Sequence, residues 1–533
     1  MPKQFRFRED ARSQLIEGMD ILVRAVGVTL GPTGRNVVLG QDFGPPKVCS
    51  DGVTIVKEIE LKEPFLNIGV QLLKVAATKT NDAVGDGTTT STILADARLR
   101  EGFKQVAAGA DPLALKKGID KAVGAINLYI EAAARPVKDK DDVKQVAILS
   151  AHDEEMGTLL AEVMGKIGQD GIVSVEESKG IGYEVEYVEG MQIDRGYSSP
   201  HLVTDPHRMI AEILDPYILI TSEKISDVAD LIPLLEKLNT VSRNIVIVSE
   251  DVEGQALATL VVNKLKGTLN CLAVKAPAFG DRRQAILEDM AVLFGARVIS
   301  KDTGQSLDSA EISDLGRCRR VIATKDDTTF VGGAGNHASI QSRIQQIRLQ
   351  AQDTTSDYDR EKLEERAAKL AGGVSVMKIG AATELELREK KQRLEDSLAA
   401  TRAAMEEGIV AGGGTTLVRA AQSARQGLQV HGDESLGADI VLSAVEAPIR
   451  LIADNSGLVG AVVVNDIING EEDWGIDAAT GTYGNLFDMG IVDPAKVAKA
   501  TLTNAASVAG MVLTTESLIT ELAPPKLPAP YDD

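Results

Sequence analysis

A multidomain protein with α and α/β parts is what this sequence predicts, on three observations. Its 533 residues exceed what a single core organises, and at roughly 150 residues per domain they imply about three to four domains. Residues 64–133 carry long runs in which apolar side chains recur at three- and four-residue steps, the spacing of helices with one buried face. Beyond residue 170, short runs rich in β-branched residues alternate with helical stretches, the pattern of a sheet covered by helices.

Taken in order, a helix over 11–27 runs into the glycine-containing loop 29–36 and an apolar strand over 37–39. Helices follow over 88–108 and 112–133. The runs GIVSVEES, GYEVEYVEG, PYILITSE, RNIVIVSE, LAVKAP and ARVIS are the expected strands, and a separate α/β domain fits residues 189–374. Thr383 and Glu386 then have the spacing of a capping box ahead of a charged helix running to Glu407. The return of helical spacing there predicts that the chain re-enters its first domain. Pro136, Gly190, Gly372, Gly373 and Gly408 read either as hinges or as ordinary turn residues. No repeat with a period of 20 to 50 residues occurs, which excludes solenoids and propellers.

Composition narrows the function classes. A net charge of −21 would repel a phosphate backbone, so nucleic acid is not expected as a partner. Aromatic residues are only 3%, so packing must rest on aliphatic side chains and alanine. Cys49, Cys271 and Cys318 have no metal-binding spacing and read as reduced thiols. The opening MPKQFRFRED lacks the apolar run of a signal peptide, and no stretch of about 18 apolar residues occurs. The nearest approach, 500–515, contains threonines and suits a packed helix. A cytoplasmic protein without membrane contact is expected.

The strongest local signal is Asn81-Asp82-Ala83-Val84-Gly85-Asp86-Gly87-Thr88-Thr89-Thr90. Unpaired N–H groups and the positive dipole end at a helix start suit phosphate, threonine hydroxyls add donors, and the carboxylate of Asp86 suits Mg²⁺. It also reads as a plain helix start with turn glycines. The loop Thr29-Leu30-Gly31-Pro32-Thr33-Gly34 lets backbone approach a ligand closely, or simply links helix to strand. No GxxxxGK[ST] string occurs, so a nucleotide site would be of another design. Asp51, Asp86 and Asp396 are candidate acids for phosphoryl transfer, one for the metal and the others to orient water; singly, Asp51 reads as a turn residue and Asp396 as a solvated helix residue. Two apolar stripes, Leu231, Ile232, Leu234, Leu235 and Leu238, and Leu257, Leu260, Val261, Val262 and Leu265, fit either core or an exposed patch that grips other proteins.

Together these pieces resemble the group I, GroEL-type (60 kDa) chaperonins, through TLGPTGRNVVL, SDGVTIVKEIEL, NDAVGDGTTT, VEGMQIDRGY, EDVEGQALATLVVN, VKAPAFGDRR, TSDYDREKLEERAAKLAGGV, GAATELELREKKQRLEDSLAATRAAMEEGIVAGGG and DMGIVDPAKV. The resemblance implies the chaperonin fold: a helical equatorial ATP-binding domain (1–132 and 407–533), a small intermediate domain (133–188 and 375–406) and an α/β apical domain (189–374). It implies that Thr29, Leu30, Gly31, Pro32, Gly87, Thr88, Thr89 and Thr90 hold phosphates and that Asp86 holds Mg²⁺, with K⁺ as a further ion. Asp51 and Asp396 would promote hydrolysis, Gly413 and Asp493 line the ribose, and Asp477, Ala478 and Ala479 the adenine. Tyr197, His201, Leu202, Ile232, Leu235, Leu257, Val261 and Val262 would form the surface for non-native polypeptides and for a lid-forming, GroES-type co-chaperonin. The implied activity is that of a protein-folding ATPase of the isomerase class, in two stacked seven-membered homo-oligomeric rings. Ser50 stands where better-known members carry a lysine, Asp477 where asparagine is familiar, and His201 and Leu202 replace an aromatic pair. The chain closes on APPKLPAPYDD in place of a Gly-Gly-Met tail. These departures suit a specialised paralogue, with a holdase or scaffold ring of weak ATPase as the competing reading.

Overall fold

A computed structural model describes residues 2–40, 46–138, 140–167, 171–178, 180–206, 208–301, 304–354 and 356–521; the proline-rich end at 523–530 lies outside the described residues. The chain opens with β1 (Lys3–Phe7), α1 (Arg8–Gly27), β2 (Val37–Leu39), β3 (Lys47–Cys49), α2 (Gly52–Glu58), α3 (Pro64–Val84), α4 (Thr88–Ala107), α5 (Pro112–Ala133), α6 (Lys140–Ala151) and α7 (Glu154–Ile167). Its middle holds β4 (Ile172–Glu177), β5 (Gly182–Val188), β6 (Gly190–Ile193), β7 (Ala211–Leu214), β8 (Tyr217–Thr221), β9 (Lys224–Ile225), α8 (Ile232–Asn239), β10 (Asn244–Ser249), β11 (Asp251–Val252), α9 (Gly254–Leu265), β12 (Asn270–Lys275), α10 (Gly280–Phe294) and β13 (Val298–Ile299). Then come β14 (Gly316–Ala323), β15 (Thr328–Gly333), α11 (His337–Asp353), α12 (Asp357–Gly372), β16 (Val374–Gly380) and α13 (Glu384–Glu407). The last part comprises β17 (Ile409–Ala411), α14 (Thr415–Gly427), α15 (Asp433–Ala444), α16 (Ala447–Asn455), α17 (Gly460–Asn469), β18 (Trp474–Asp477), β19 (Thr482–Asn485), β20 (Val492–Pro494), α18 (Ala495–Leu513) and β21 (Ser517–Glu521).

These elements form two compact units, one of Met1–Gly165, Glu177–Gly182 and Ile379–Asp533, the other of Lys166–Glu176 and Tyr183–Lys378. The segments expected as an intermediate domain fall mostly within the first. That unit is a helical bundle closed by its own termini: β1 pairs antiparallel with β21, Lys3 opposite Glu521 through Phe7 opposite Ser517. Its core is aliphatic, with Leu15, Met19 and Leu22 of α1, Leu73 of α3, Leu94 and Leu99 of α4, Ile119 and Ile126 of α5, and Leu502 and Val508 of α18. Small residues let helix backbones approach closely. A β-carbon on Gly118 of α5 would lie 1.9 Å from the Glu434 carbonyl oxygen, and one on Gly437 of α15 would lie 2.1 Å from that of Leu115. The chain leaves and re-enters the bundle side by side, for Arg135 and Ile409 exchange two backbone hydrogen bonds of 2.8 Å. Half of the capping box expected at Thr383 forms: its side chain accepts the Glu386 N–H at 3.2 Å, whereas the Glu386 carboxylate takes its backbone hydrogen bond from Ala382.

The second unit is built on one sheet ordered β12-β10-β8-β14-β15-β6, with β13 added to β8 and β7 to β14. β12, β10, β8 and β13 run parallel, and β14, β15, β6 and β7 antiparallel. The parallel strands are continuous apolar runs because both of their faces are covered: Ile218–Ile220, Ile245–Val248 and Cys271–Val274 are all buried completely. Strands β4, β16 and β5 form a separate three-stranded sheet.

The α5–α15 contact makes a specific stability prediction. Gly118→Ala places a methyl group against a backbone carbonyl that has no rotamer to escape into. It is expected to cost about 1–3 kcal/mol, as overpacking does, and to lower the melting temperature of the purified chain in a thermal scan. An alanine at Gly124 of the same helix, where nothing lies within 4 Å, should instead raise it slightly, because alanine is the better helix former.

Candidate functional site

The turn between α3 and α4 is set by two left-handed glycines. Gly85 (φ +69°) ends α3 with its N–H on the Asn81 carbonyl at 2.8 Å, and Gly87 (φ +76°) opens α4. Asp86 is thereby held between two sharp backbone reversals that non-glycine residues rarely adopt. Its Oδ1 accepts the Gly87 N–H at 2.5 Å and its Oδ2 accepts the Ser150 hydroxyl at 3.1 Å. No side chain caps α4, so N–H groups of its first turn remain available, with Thr88 and Thr89 buried around them.

Helix α2 starts against this turn. A β-carbon on Gly52 would lie 2.2 Å from Thr89 Oγ1 and 2.9 Å from Thr88 Oγ1, so two helix N-termini meet through a residue that has no side chain. Asp51 caps α2, accepting Val53 N–H at 3.1 Å, Thr54 N–H at 2.9 Å and the Thr54 hydroxyl at 2.6 Å. Helix α13 crosses the same place: a β-carbon on Gly85 would lie 2.3 Å from Ala399 Cβ, and Ser397 donates to the Ala147 carbonyl at 2.8 Å. Asp396 of α13 accepts from Gln392 at 2.9 Å. From β20, Asp493 accepts the backbone N–H groups of Gly413 and Gly414.

The four carboxylates feel one another. Burial, and then the charges of Asp51 and Asp86, hold the Asp396 carboxyl well above the usual carboxylate range. Burial, countered by the Gly87 and Ser150 hydrogen bonds, raises Asp86. Burial and then the Asp86 charge push Asp493 up to about 6. Among the described residues no lysine or arginine pairs with any of the four. Nor do three or more His, Cys, Asp or Glu side chains stand closely enough to hold a metal by themselves. Such a donor set fits a Mg²⁺ held by one carboxylate and completed by phosphate oxygens and water, because Mg²⁺ keeps several waters and takes few protein ligands.

Helix α16 gathers the remaining candidate segments. Gly31 (φ +91°) in the Thr29–Pro32 loop lies against Ile452, and Gly414 against Ile449, one turn earlier. Asn455 braces the first loop, donating to the carbonyls of Gly27 and Leu30, each at 2.9 Å. The Asp477–Ala479 turn follows β18, whose Gly475 packs on Thr415 at the start of α14. Asp477 accepts from Ala479 N–H at 2.9 Å and from the Thr480 hydroxyl at 2.8 Å. Sequence reasoning missed Ser150, Gln392, Gly414 and Asn455, which carry no motif and become site residues only through packing.

A family model described as the TCP-1/cpn60 chaperonin family matches residues 22–522. The chain belongs to the TCP-1/cpn60 chaperonin family. A chaperonin acts in protein folding, binds non-native polypeptides and assembles as an oligomeric ring. No described helix of this chaperonin is long and apolar enough to cross a membrane.

In the second unit the two apolar stripes divide between core and surface. Leu231, Leu234, Leu238 and Leu260 are buried, whereas Ile232 is 43% exposed, Val262 46% and Leu265 73%. Leu235, Leu257 and Val261 are half-buried against the same core. Of the other expected contact residues only His201 is exposed. Leu202 is fully buried and Tyr197 nearly so, its backbone bridged to Val274, so in this conformation both belong to the core and not to a surface. Glu384 pairs with Arg388 at 2.5 Å, and the Arg195 guanidinium lies 5.9 Å from the Phe279 ring centre.

The raised Asp493 makes a pH prediction. A carboxyl with a higher pKa folded than unfolded favours the folded state when protonated, so its contribution is present below about pH 4 and lost as pH rises through about 6. Asp493→Asn keeps an acceptor oxygen for both glycine N–H groups. Without ligand, the variant is expected to melt a few degrees above the wild type near pH 7 and together with it near pH 4.

Proposed function

We propose that this chaperonin is of the group I, GroEL type and uses ATP to drive capture and folding of non-native polypeptides in a ring cavity closed by a GroES-type co-chaperonin. One observation carries the ATP reading: four mutually interacting carboxylates, paired with no lysine or arginine among the described residues, include Asp86 beside the uncapped N-terminus of α4, a combination that suits a polyphosphate accompanied by Mg²⁺. Asp86 would hold Mg²⁺, with the first turn of α4 and the Thr29–Pro32 loop on the phosphates, and K⁺ as a further ion. Gly413 and Asp493 would receive the ribose, and Asp477, Ala478 and Ala479 the base. Bound Mg²⁺ supplies charge neutralisation at the transferring phosphoryl group.

Asp51 and Asp396 would orient and deprotonate the attacking water. Burial and the neighbouring carboxylates raise the pKa of Asp396, which makes its carboxylate a stronger base than a solvated one. In this reading 1–132 with 407–533, 133–188 with 375–406, and 189–374 act as equatorial, intermediate and apical domains, in two stacked seven-membered rings in the cytoplasm. Ile232, Leu235, Leu257, Val261, Val262 and His201 would present the capture surface. A holdase or scaffold ring with weak ATPase is the second reading. What favours it is Asp51, whose two oxygens are already engaged in capping α2.

Steady-state turnover of the assembled protein with a denatured client decides between them. Asp396→Ala is expected to lower kcat by a factor on the order of 10² or more with little change in nucleotide affinity, and client recovery should follow ATP. Wild-type turnover no faster than Asp396→Ala, with client capture retained, would establish the holdase. Ile232→Glu combined with Val262→Glu should reduce capture of a denatured protein by about tenfold and leave the melting temperature unmoved, because both side chains are exposed.

A further inference from the structure

Residue 152 joins α6 to α7 in a left-handed conformation, φ 52°, which side chains other than glycine seldom adopt and histidine tolerates better than most. It is pinned on both sides. Ser150, two residues before, donates to Asp86 Oδ2 at 3.1 Å. Asp153, the next residue, caps α7 by accepting the Met156 N–H at 2.9 Å, while its carbonyl accepts Gly157 N–H at 3.0 Å. The end of α6 is in turn tied to α13 by the Ser397–Ala147 hydrogen bond. The His152 side chain therefore has a fixed origin beside Asp86.

Its surroundings point into the carboxylate site. The imidazole interacts electrostatically with Asp86 and with Arg393, and Arg393 stands one turn before Asp396 on α13. Arg393 is already bound to Glu389 at 2.5 Å. The residue reaches solvent while its imidazole is shielded by the groups around it, and it has no hydrogen-bond partner among the described residues. It is thus a nitrogen-bearing side chain beside Asp86 that still has donor capacity to give.

Resting on the nucleotide reading above, we propose that His152 donates a ring N–H to the phosphate chain of the bound nucleotide and so helps to determine its affinity. Burial and then Arg393 hold the imidazole below the ordinary histidine range, while Asp86 pulls it back. A neutral ring still carries one N–H donor, so the contact does not depend on protonation.

The test is calorimetric titration of the assembled full-length protein with MgADP, comparing wild type with His152→Ala, His152→Gly and His152→Asn, each checked by its ligand-free melting temperature. Loss of one hydrogen bond to a charged oxygen predicts about tenfold weaker binding for both Ala and Gly. Asn, which tolerates the left-handed backbone and restores a donor, should return to within about threefold of wild type. In turnover the Ala and Gly variants should raise KM for ATP and leave kcat nearly unchanged. A Gly variant that binds like wild type would mean that residue 152 only turns the chain, and would overturn the proposal. Wild type that binds no MgADP would instead remove the nucleotide reading itself.

Discussion

Four interacting carboxylates that pair with no lysine or arginine among the described residues are a cost that the first unit carries in its fold. Asp51, Asp86, Asp396 and Asp493 come from α2, the α3–α4 turn, α13 and β20, so no local sequence preference assembles them. Helix packing holds them there against their mutual repulsion and their burial, which together raise the pKa values of Asp86, Asp396 and Asp493. The arrangement favours any ligand that brings divalent charge. The uncapped start of α4 leaves N–H donors beside Asp86.

Close backbone approach is what makes this geometry possible. Gly52 sets α2 directly on the threonines that open α4, and Gly85 lets α13 lie on the turn that carries Asp86. A methyl group at either position would meet Thr89 Oγ1 or Ala399 Cβ at under 2.5 Å, moving a carboxylate relative to the helix start. The same device, small residues in place of bulk, holds α5 on α15. A bundle poor in aromatic residues gains definition from such contacts, because aliphatic side chains and alanine pack densely only when backbones come near.

The second unit solves a different problem. Its helices α8 and α9 expose apolar area on a folded core by burying one side of each stripe and presenting the other. Leu234, Leu238 and Leu260 anchor the helices in the core of the sheet, which leaves Ile232, Val262 and Leu265 free to face outward. An exposed apolar patch on a firmly anchored helix binds other chains' apolar segments without demanding a particular sequence.

Much of the architecture was legible in the residues. The spans of β2 and α5, the start of α4 and the cap at Thr383 follow from spacing and end signals that act over a few residues, and α1 differs only in beginning at Arg8, where an exposed polar first turn has no apolar spacing to read. Loop candidates such as Gly31 and Asp86 carry their signal in glycine itself, whereas Gly413 came from the family resemblance. The partition of the apolar stripes, the burial of Tyr197 and Leu202, and the parts played by Ser150, His152, Gln392 and Asn455 carried no such signal. Periodicity says that one side of a helix is apolar and cannot say what lies against it, and a polar residue beyond a motif looks like any solvated side chain. The sequence by itself determined the elements, their order and the chemistry available at the glycine turns. Tertiary structure alone decided which carboxylates share a site and which leucines face water, because those depend on contacts between residues hundreds of positions apart.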